Sequence, residues 1–237
     1  PFRDSSLILE LLTPDYGRIA CIARGARRDK QRRQRALQPF APLLVTLLGR
    51  HNLKTLGPLE NAGQSLWLKG RAVYAGLYAN ELLIRLLPEG ESLVSVFAAY
   101  QQLLDALAAV SGEHSAELEL PLRRFELNLL QALGSCPELD YSPMEQGPVR
   151  ADAAYRLTLE DGFVPVAIAP GQALRTGEFH GAQLLQVASL TASEPLGPLA
   201  AETLSAAKRL SRLLLQPLLG SRPLSSRELF RQVYSEG

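Results

Sequence analysis

The apolar pattern of this 237-residue chain changes its period near residue 66, and no other feature restricts the fold as much. Before that point apolar residues come in short runs closed by turn chemistry. Leu7–Thr13 ends at Pro14-Asp15-Tyr16-Gly17, where Pro fixes φ and Gly admits positive φ. Arg18–Ala23 is the return strand, with Ile19, Cys21 and Ala23 on one side. Pro39 and Pro42 exclude a helix and introduce a third strand, Leu43–Leu48. After a turn at Gly49–Asn52, a fourth strand runs from Leu53 to about Glu60. Four short strands in sixty residues, with no helix among them, predict a small barrel.

Between the second and third strands lies Arg24–Arg35. Seven of its twelve residues are Arg or Lys, opposed only by Asp29, whereas the whole chain carries a net charge of +1. Clustered guanidinium groups stay charged and bind phosphate oxygens in pairs, so a polyanion is the expected partner. A solvated loop is the plain alternative. Arg24, Arg27, Arg28, Lys30, Arg32, Arg33 and Arg35 are the candidate phosphate contacts. An OB-fold, a five-stranded barrel that holds single-stranded nucleic acid through a charged groove and its loops, accommodates this arrangement. Four strands are visible, so a first strand ahead of Pro1 is expected to complete the set. Aromatic platforms for bases are sparse. Phe2, Tyr16 and Phe40 are the local candidates, and Phe40, between two prolines, reads better as core. Binding would then be mostly electrostatic.

Beyond residue 66 apolar residues recur at three- and four-residue steps, the mark of amphipathic helices. Arg71–Leu87 has an apolar face of Val73, Leu77, Leu82, Leu83, Leu86 and Leu87 and stops at Pro88 and Gly90. A second helix follows Leu93, Val96, Phe97, Tyr100, Leu104 and Leu107. A third runs from about Glu119 to Leu133, with Pro121 in its first turn and Gly134 as its stop. On that helix Arg123 and Arg124 stand beside Leu127 and Leu130. A guanidinium next to an open leucine groove suits a peptide with an apolar tip and a carboxylate. Pairing of Arg123 with Glu119 or Glu126, with Leu127 widening the core face, is the ordinary alternative, and spacing alone favours it.

The region from Cys136 to Arg150 reads as loop. Tyr155–Glu160 and Phe163–Ile168 flank Asp161-Gly162, a two-residue hairpin signal. Helices are expected at Gly181–Val187 and Pro198–Leu215. A capping box, Ser225 to Glu228, opens a last one. Lys208, Arg209, Arg212, Arg222, Arg227 and Arg231 form a second, dispersed basic population that reads as a solvated face. The expected class is α+β. Residues 1–66 form an OB-fold barrel, and residues 67–237 a mainly helical domain with a β-hairpin insertion at about 136–180.

Much chemistry has no counterpart in the sequence. No phosphate-binding G-x-x-x-x-G-K-[ST] loop and no H-E-x-x-H occur, and His51, His114 and His180 are far apart. Cys21 and Cys136 form no C-x-x-C pair, which fits a reducing cytoplasm. No apolar run approaches the length of a membrane span. The residues describe a non-enzymatic binding protein.

In order along the chain, Ser5–Thr13, Gly17–Arg27 with its A-R-G-A-R end, Leu37–Leu43 with L-Q-P-F, Tyr78–Leu83, Leu122–Leu127 and Ser226–Phe230 with S-R-E-L-F resemble the bacterial RecO family of DNA repair and recombination mediators. The resemblance covers essentially the whole chain. It implies an N-terminal OB-fold and a helical domain. It also implies binding of single- and double-stranded DNA, strand annealing, and work with RecR in loading RecA onto DNA coated by SSB. It implies that the acidic C-terminal tail of SSB docks on the helical domain, for which Arg123, Arg124, Leu127 and Leu130 are the matching positions. A nucleoid-associated, cytoplasmic protein without cofactor is expected. Many members carry a four-cysteine zinc site after the third helix. Ser142 and Glu145 stand at the positions that resemble its first pair, so no zinc is expected. An adaptor working mainly through protein contacts, with the basic loop as docking arm, is the alternative function.

Overall fold

The computed structural model describes residues 5–26, 36–50, 53–63, 66–169, 172–191 and 199–234. Strand β1 (Leu7–Thr13) pairs antiparallel with β2 (Gly17–Ala23), in a register running from Leu7 opposite Ala23 to Thr13 opposite Gly17. The Thr13 hydroxyl closes the turn by accepting from the Tyr16 N–H at 3.1 Å and donating to the Gly17 carbonyl at 3.0 Å. Gly17 has a φ of 62°, and an added Cβ would lie 1.8 Å from the Glu91 carbonyl oxygen, so no other residue fits there.

Strands β3 (Leu43–Leu48) and β4 (Lys54–Asn61) pair antiparallel, with an irregularity between Val45 and Leu47. A short parallel pairing of β2 with β4 joins the two hairpins into one sheet, ordered β1-β2-β4-β3. The four expected strands are present. Among the described residues β1 and β3 remain separate edges, so the sheet is open where a closed barrel was expected. Closure needs a further pairing between those edges. Alternation turns Val45, Leu47 and Leu59 towards the buried Cys21, Ala23, Ala26 and Leu56, while Leu44 and Leu48 face out.

Helices α1 (Arg71–Leu86) and α2 (Val94–Ala109) follow. The buried face of α1 keeps Leu82 and Leu83 of the expected stripe, with Leu87 buried just beyond the helix, while Val73, Leu77 and Leu86 are only partly buried. It includes Ala72, Ala75, Gly76 and Ala79 with Tyr78, Leu82 and Leu83, a surface of small side chains that admits close neighbours. Helix α3 (Ala116–Ala132) starts earlier than expected, so Pro121 lies inside it and withholds one N–H from the ladder. Its end is as expected. Gly134 takes φ 65°, and the Ser135 N–H reaches back to the Leu130 carbonyl at 2.8 Å.

Two-residue strands β5 (Tyr141–Ser142) and β6 (Gly147–Pro148) precede a three-stranded sheet of β7 (Ala154–Thr158), β8 (Gly162–Val166) and β9 (Glu178–His180), ordered β8-β7-β9. Thr158 faces Gly162, so the hairpin loop is Leu159-Glu160-Asp161 and not the two-residue turn expected at Asp161-Gly162. The Thr158 hydroxyl repeats what Thr13 does, accepting from the Asp161 N–H and donating to the Gly162 carbonyl. Helices α4 (Gly181–Ala188), α5 (Ala201–Leu219) and α6 (Ser225–Tyr234) complete the order. The capping box expected at Ser225 is replaced. Glu81 of α1 accepts the backbone N–H groups of Ser225 and Ser226, each at 2.9 Å, and the Ser226 hydroxyl at 2.7 Å.

The chain divides into two compact units, Pro1–Leu118 with Arg222–Gly237, and Glu119–Ser221. The first contains the four-stranded sheet, α1, α2 and α6. The second contains nearly all of α3, the small sheets, α4 and α5. The boundary expected at residue 66 follows a change of period, whereas these units follow compactness. No helix among the described residues is long and apolar enough to cross a membrane.

Candidate functional site

The basic stretch leaves the sheet at a place built from small residues. Ala23 and Ala26 are fully buried, and Leu37, beyond the stretch, packs against the same core. Gly25 between the alanines has φ 70°, and an added Cβ would meet nothing within 4 Å. Its role is therefore backbone conformation and not room. Arg24 is turned outward and exposed. The other six cations expected to meet phosphate, Arg27, Arg28, Lys30, Arg32, Arg33 and Arg35, lie outside the described residues. Both flanks of the cationic segment are thus tied to the sheet.

The aromatic candidates divide. Tyr16 is exposed in the β1–β2 turn, and Phe2 lies outside the described residues. Phe40 packs on α1, where a Cβ at Gly76 would stand 2.7 Å from two of its ring carbons. It does so at φ 69°, a conformation rare for a bulky side chain. The partly buried ring ties the segment after the basic stretch to α1. Arg18 is equally occupied, with Nε donating to the Leu87 carbonyl at 3.0 Å and Nη1 to Glu10 at 2.8 Å.

On α3 the structure gathers the expected residues in the ordinary arrangement. Arg123 is buried, with Nη1 2.6 Å from Glu126 and Nε 3.6 Å from Glu119. Lys208 of α5 also pairs with Glu119. Two cations and two carboxylates therefore compensate one another along Lys208, Glu119, Arg123 and Glu126. The open leucine groove is absent in this conformation, because Leu127 and Leu130 are fully buried. The i+4 and i+7 positions that suggested a second face belong to the core face of a helix covered on more than one side. Arg124 is half-buried, and its carbonyl accepts from the Asn128 amide at 2.9 Å.

The dispersed basic population splits as well. Arg227 lies over the Tyr78 ring, 5.1 Å from its centroid, and the Arg222 carbonyl accepts from Arg85 at 3.0 Å. Arg209 and Arg212 of α5 line a cleft with Arg175, a residue the sequence pattern did not single out.

The positions that resemble half of a zinc site do not fit one. The Ser142 hydroxyl donates to the Phe163 carbonyl at 2.8 Å. Glu145 accepts from the Tyr155 hydroxyl at 2.9 Å and from Arg150 at 3.2 Å, while the Tyr155 oxygen accepts the Arg150 N–H at 2.9 Å. These hydrogen bonds take up the polar atoms a metal would need. Burial pushes the Cys136 thiol up to about 12. Burial, with Glu10 adding to it, brings Cys21 to about 11, so both are thiols near neutrality. Among the described residues no three His, Cys, Asp or Glu side chains are grouped to hold a metal ion.

Residues 1–62 match the family model described as Recombination protein O N terminal, and residues 68–228 match Recombination protein O C terminal. The chain is 42% identical over 231 residues to the DNA repair protein RecO of Cellvibrio japonicus (strain Ueda107), covering 97% of this chain and 92% of that protein. It is 39% identical over 234 residues to the DNA repair protein RecO of Yersinia pestis (strain Pestoides F) and to that of Yersinia pseudotuberculosis (strain PB1/+), covering 98% of this chain and 90% of each.

Proposed function

The chain belongs to the RecO family of DNA repair proteins, and on that footing we propose that this recombination mediator binds DNA directly and anneals complementary single strands. The observation that carries the reading is the anchoring of Arg24–Arg35. A segment holding seven of the chain's 25 Lys and Arg residues is fixed at Ala26 and Leu37 to the core of the N-terminal sheet. A charge cluster whose described flanks are tied to a sheet belongs to that sheet's loops, the part of an OB-fold that meets nucleic acid. We read the four strands as the greater part of such a fold.

In this mechanism the protein makes and breaks no covalent bond. Guanidinium and ammonium groups neutralise phosphates on two strands and lower the repulsion between them, and the bases then pair by their own chemistry. With RecR as partner, the protein would help load RecA onto SSB-coated DNA, at the nucleoid in the cytoplasm. The SSB tail is proposed to dock on α3 under a condition set by the geometry. A tail carboxylate reaches Arg123 only in exchange for Glu119 or Glu126, and an apolar tip reaches Leu127 and Leu130 only by displacing what covers them. Arg124, half-buried, is the most accessible of the four.

Titration of a labelled single-stranded oligonucleotide at several salt concentrations tests the reading. If about five loop cations contact phosphates, log K falls against log[salt] with a slope of about −3.5. The double variant Arg27→Glu, Arg28→Glu should lose most annealing of bare strands while keeping the wild-type melting temperature. A slope near zero, or normal annealing by the variant, would remove the loop from the mechanism.

A further inference from the structure

The second unit is acidic in sum, with eight Lys and Arg against eleven Asp and Glu in residues 119–221. Yet one cleft in it, of about 540 Å³, is lined by three arginines and no carboxylate. Arg175 comes from the turn before β9. Arg209 and Arg212 come from α5, three residues apart and therefore on one face. Among the described residues no ion pair engages any of the three. Glu178, the acid nearest them in sequence, gives one oxygen to Arg156 and the other to the backbone N–H of Arg175, each at 2.9 Å. The Arg209 guanidinium lies 5.3 Å from the centroid of the Phe179 ring, which orients the fork without neutralising it.

A fourth side chain narrows the ligand. Gln183 of α4 lines the same cleft, and its Oε1 is buried with no hydrogen-bond partner among the described residues. A buried acceptor needs a donor. Anionic oxygens suit the arginines, and an N–H or O–H donor suits Gln183. A nucleotide of a DNA strand carries both, in its phosphate oxygens and its base N–H groups. Leu174 and Leu213 add apolar surface that a base can cover, and His180 lies on the same lining.

We infer that this cleft is a second nucleic-acid contact, taking the phosphodiester backbone of one strand on Arg175, Arg209 and Arg212 and a donor of the seated nucleotide on Gln183. The inference rests on the proposed DNA-binding function. It adds to the loop a site on the other compact unit, separated from it by more than 130 residues of sequence.

The experiment uses the full chain and a mixed-sequence single-stranded oligonucleotide carrying 5-iodouracil. Ultraviolet cross-linking is expected to label peptides from residues 172–183 or 209–216. Fluorescence anisotropy across a salt series is expected to show the double variant Arg209→Gln, Arg212→Gln with a log–log slope smaller in magnitude by about 1.4, two contacts at about 0.7 each. Gln183→Leu removes no charge, so it should weaken binding with the slope unchanged and without loss of melting temperature. If the double variant fails to fold, Gln183→Leu and the cross-link map still decide. Cross-links confined to other segments together with unchanged slopes would overturn the cleft while leaving the loop in place. Absence of any oligonucleotide binding by the wild type would instead overturn the proposed function. Inorganic phosphate that displaces the strand at equal concentration would make this a small-anion site. An acidic peptide that protects the cleft where the oligonucleotide does not would make it a protein-docking site. Either result defeats the inference.

Discussion

Arg123 on α3 and the arginines of the cleft lie in one compact unit and have opposite surroundings. Arg123 is buried between Glu126 and Glu119, with Lys208 on the far side of Glu119. Arg209 and Arg212 are exposed, and no carboxylate lines the cleft they share with Arg175. Taken as isolated residues the four are alike; spacing favoured an internal pair for Arg123, and the family resemblance alone marked it as the ligand-facing one. The difference shows that what selects a binding arginine is its partners. A guanidinium already compensated within the fold must give up an internal carboxylate to take an external one, whereas one facing water gives up only hydration.

The comparison breaks first at Arg123. Arg123→Ala would remove the cation that lies 2.6 Å from the fully buried Glu126, and breaking a buried ion pair by removing one partner costs about 3–5 kcal/mol. Urea unfolding should show a loss of that size. The paired variant Arg123→Met, Glu126→Leu should recover much of it, because both members of the pair are then replaced by apolar volume. A loss below about 1 kcal/mol would mean that Arg123 behaves like an exposed pair. It would then be free to serve an SSB tail, and the contrast with the cleft would fail.

Glu81 is the next test, a charge satisfied by backbone and hydroxyl donors in place of a cation. Burial alone would raise its pKa. The N–H and hydroxyl of Ser226, the N–H of Ser225 and the charge of Arg85 together outweigh that and hold it below the usual carboxylate range. A carboxyl whose folded pKa is depressed adds stability above its unfolded pKa and loses it as pH falls through the folded value. Glu81→Gln should therefore cost about 1–2 kcal/mol at neutral pH through weakened charge-assisted hydrogen bonds at the start of α6. The gap between wild type and variant should close below about pH 4. A gap that stays constant into acid would mean that Glu81 acts through shape alone.

Glu81 also marks where sequence reading stops. The four strands of the sheet were legible because Pro14, Gly17, Pro39 and Pro42 punctuate them and side chains alternate between. The end of α3 was legible because Gly134 supplies a left-handed residue where the helix needs one. These signals are local. The partner of Ser225 and Ser226 is 144 and 145 residues away, and a capping box four residues long was the nearer reading. The parallel pairing of β2 with β4 is likewise a property of assembly. On α1 the pattern of large residues found Leu82, Leu83 and Leu87, which are buried, but not Ala72, Ala75, Gly76 and Ala79, which share that face. Of the site, the core-anchored Ala26 lies within the segment Arg24–Arg35 that is readable from its charge, and Ala23 directly precedes it. The cleft was not readable, because Arg175 and Arg212 meet from positions 37 residues apart in a chain with charges throughout.

The smallest effect is the most discriminating. Arg209 and Arg212 stand three apart on α5, so their like charges repel by a few tenths of a kcal/mol, and no carboxylate in the cleft offsets this. Arg212→Gln should leave stability unchanged or raise it by about 0.2–0.5 kcal/mol in low salt. About 1 M salt, where the screening length falls to about 3 Å, should erase the difference. Urea unfolding at the two salt concentrations reads both numbers. A loss above about 1 kcal/mol would show that Arg212 holds the fold together, as Arg123 does, and would remove the distinction between a compensated arginine and a waiting one. A small gain that salt abolishes means that the charge is kept at a cost to the unit containing it, which is expected of a residue whose counter-ion arrives with the ligand.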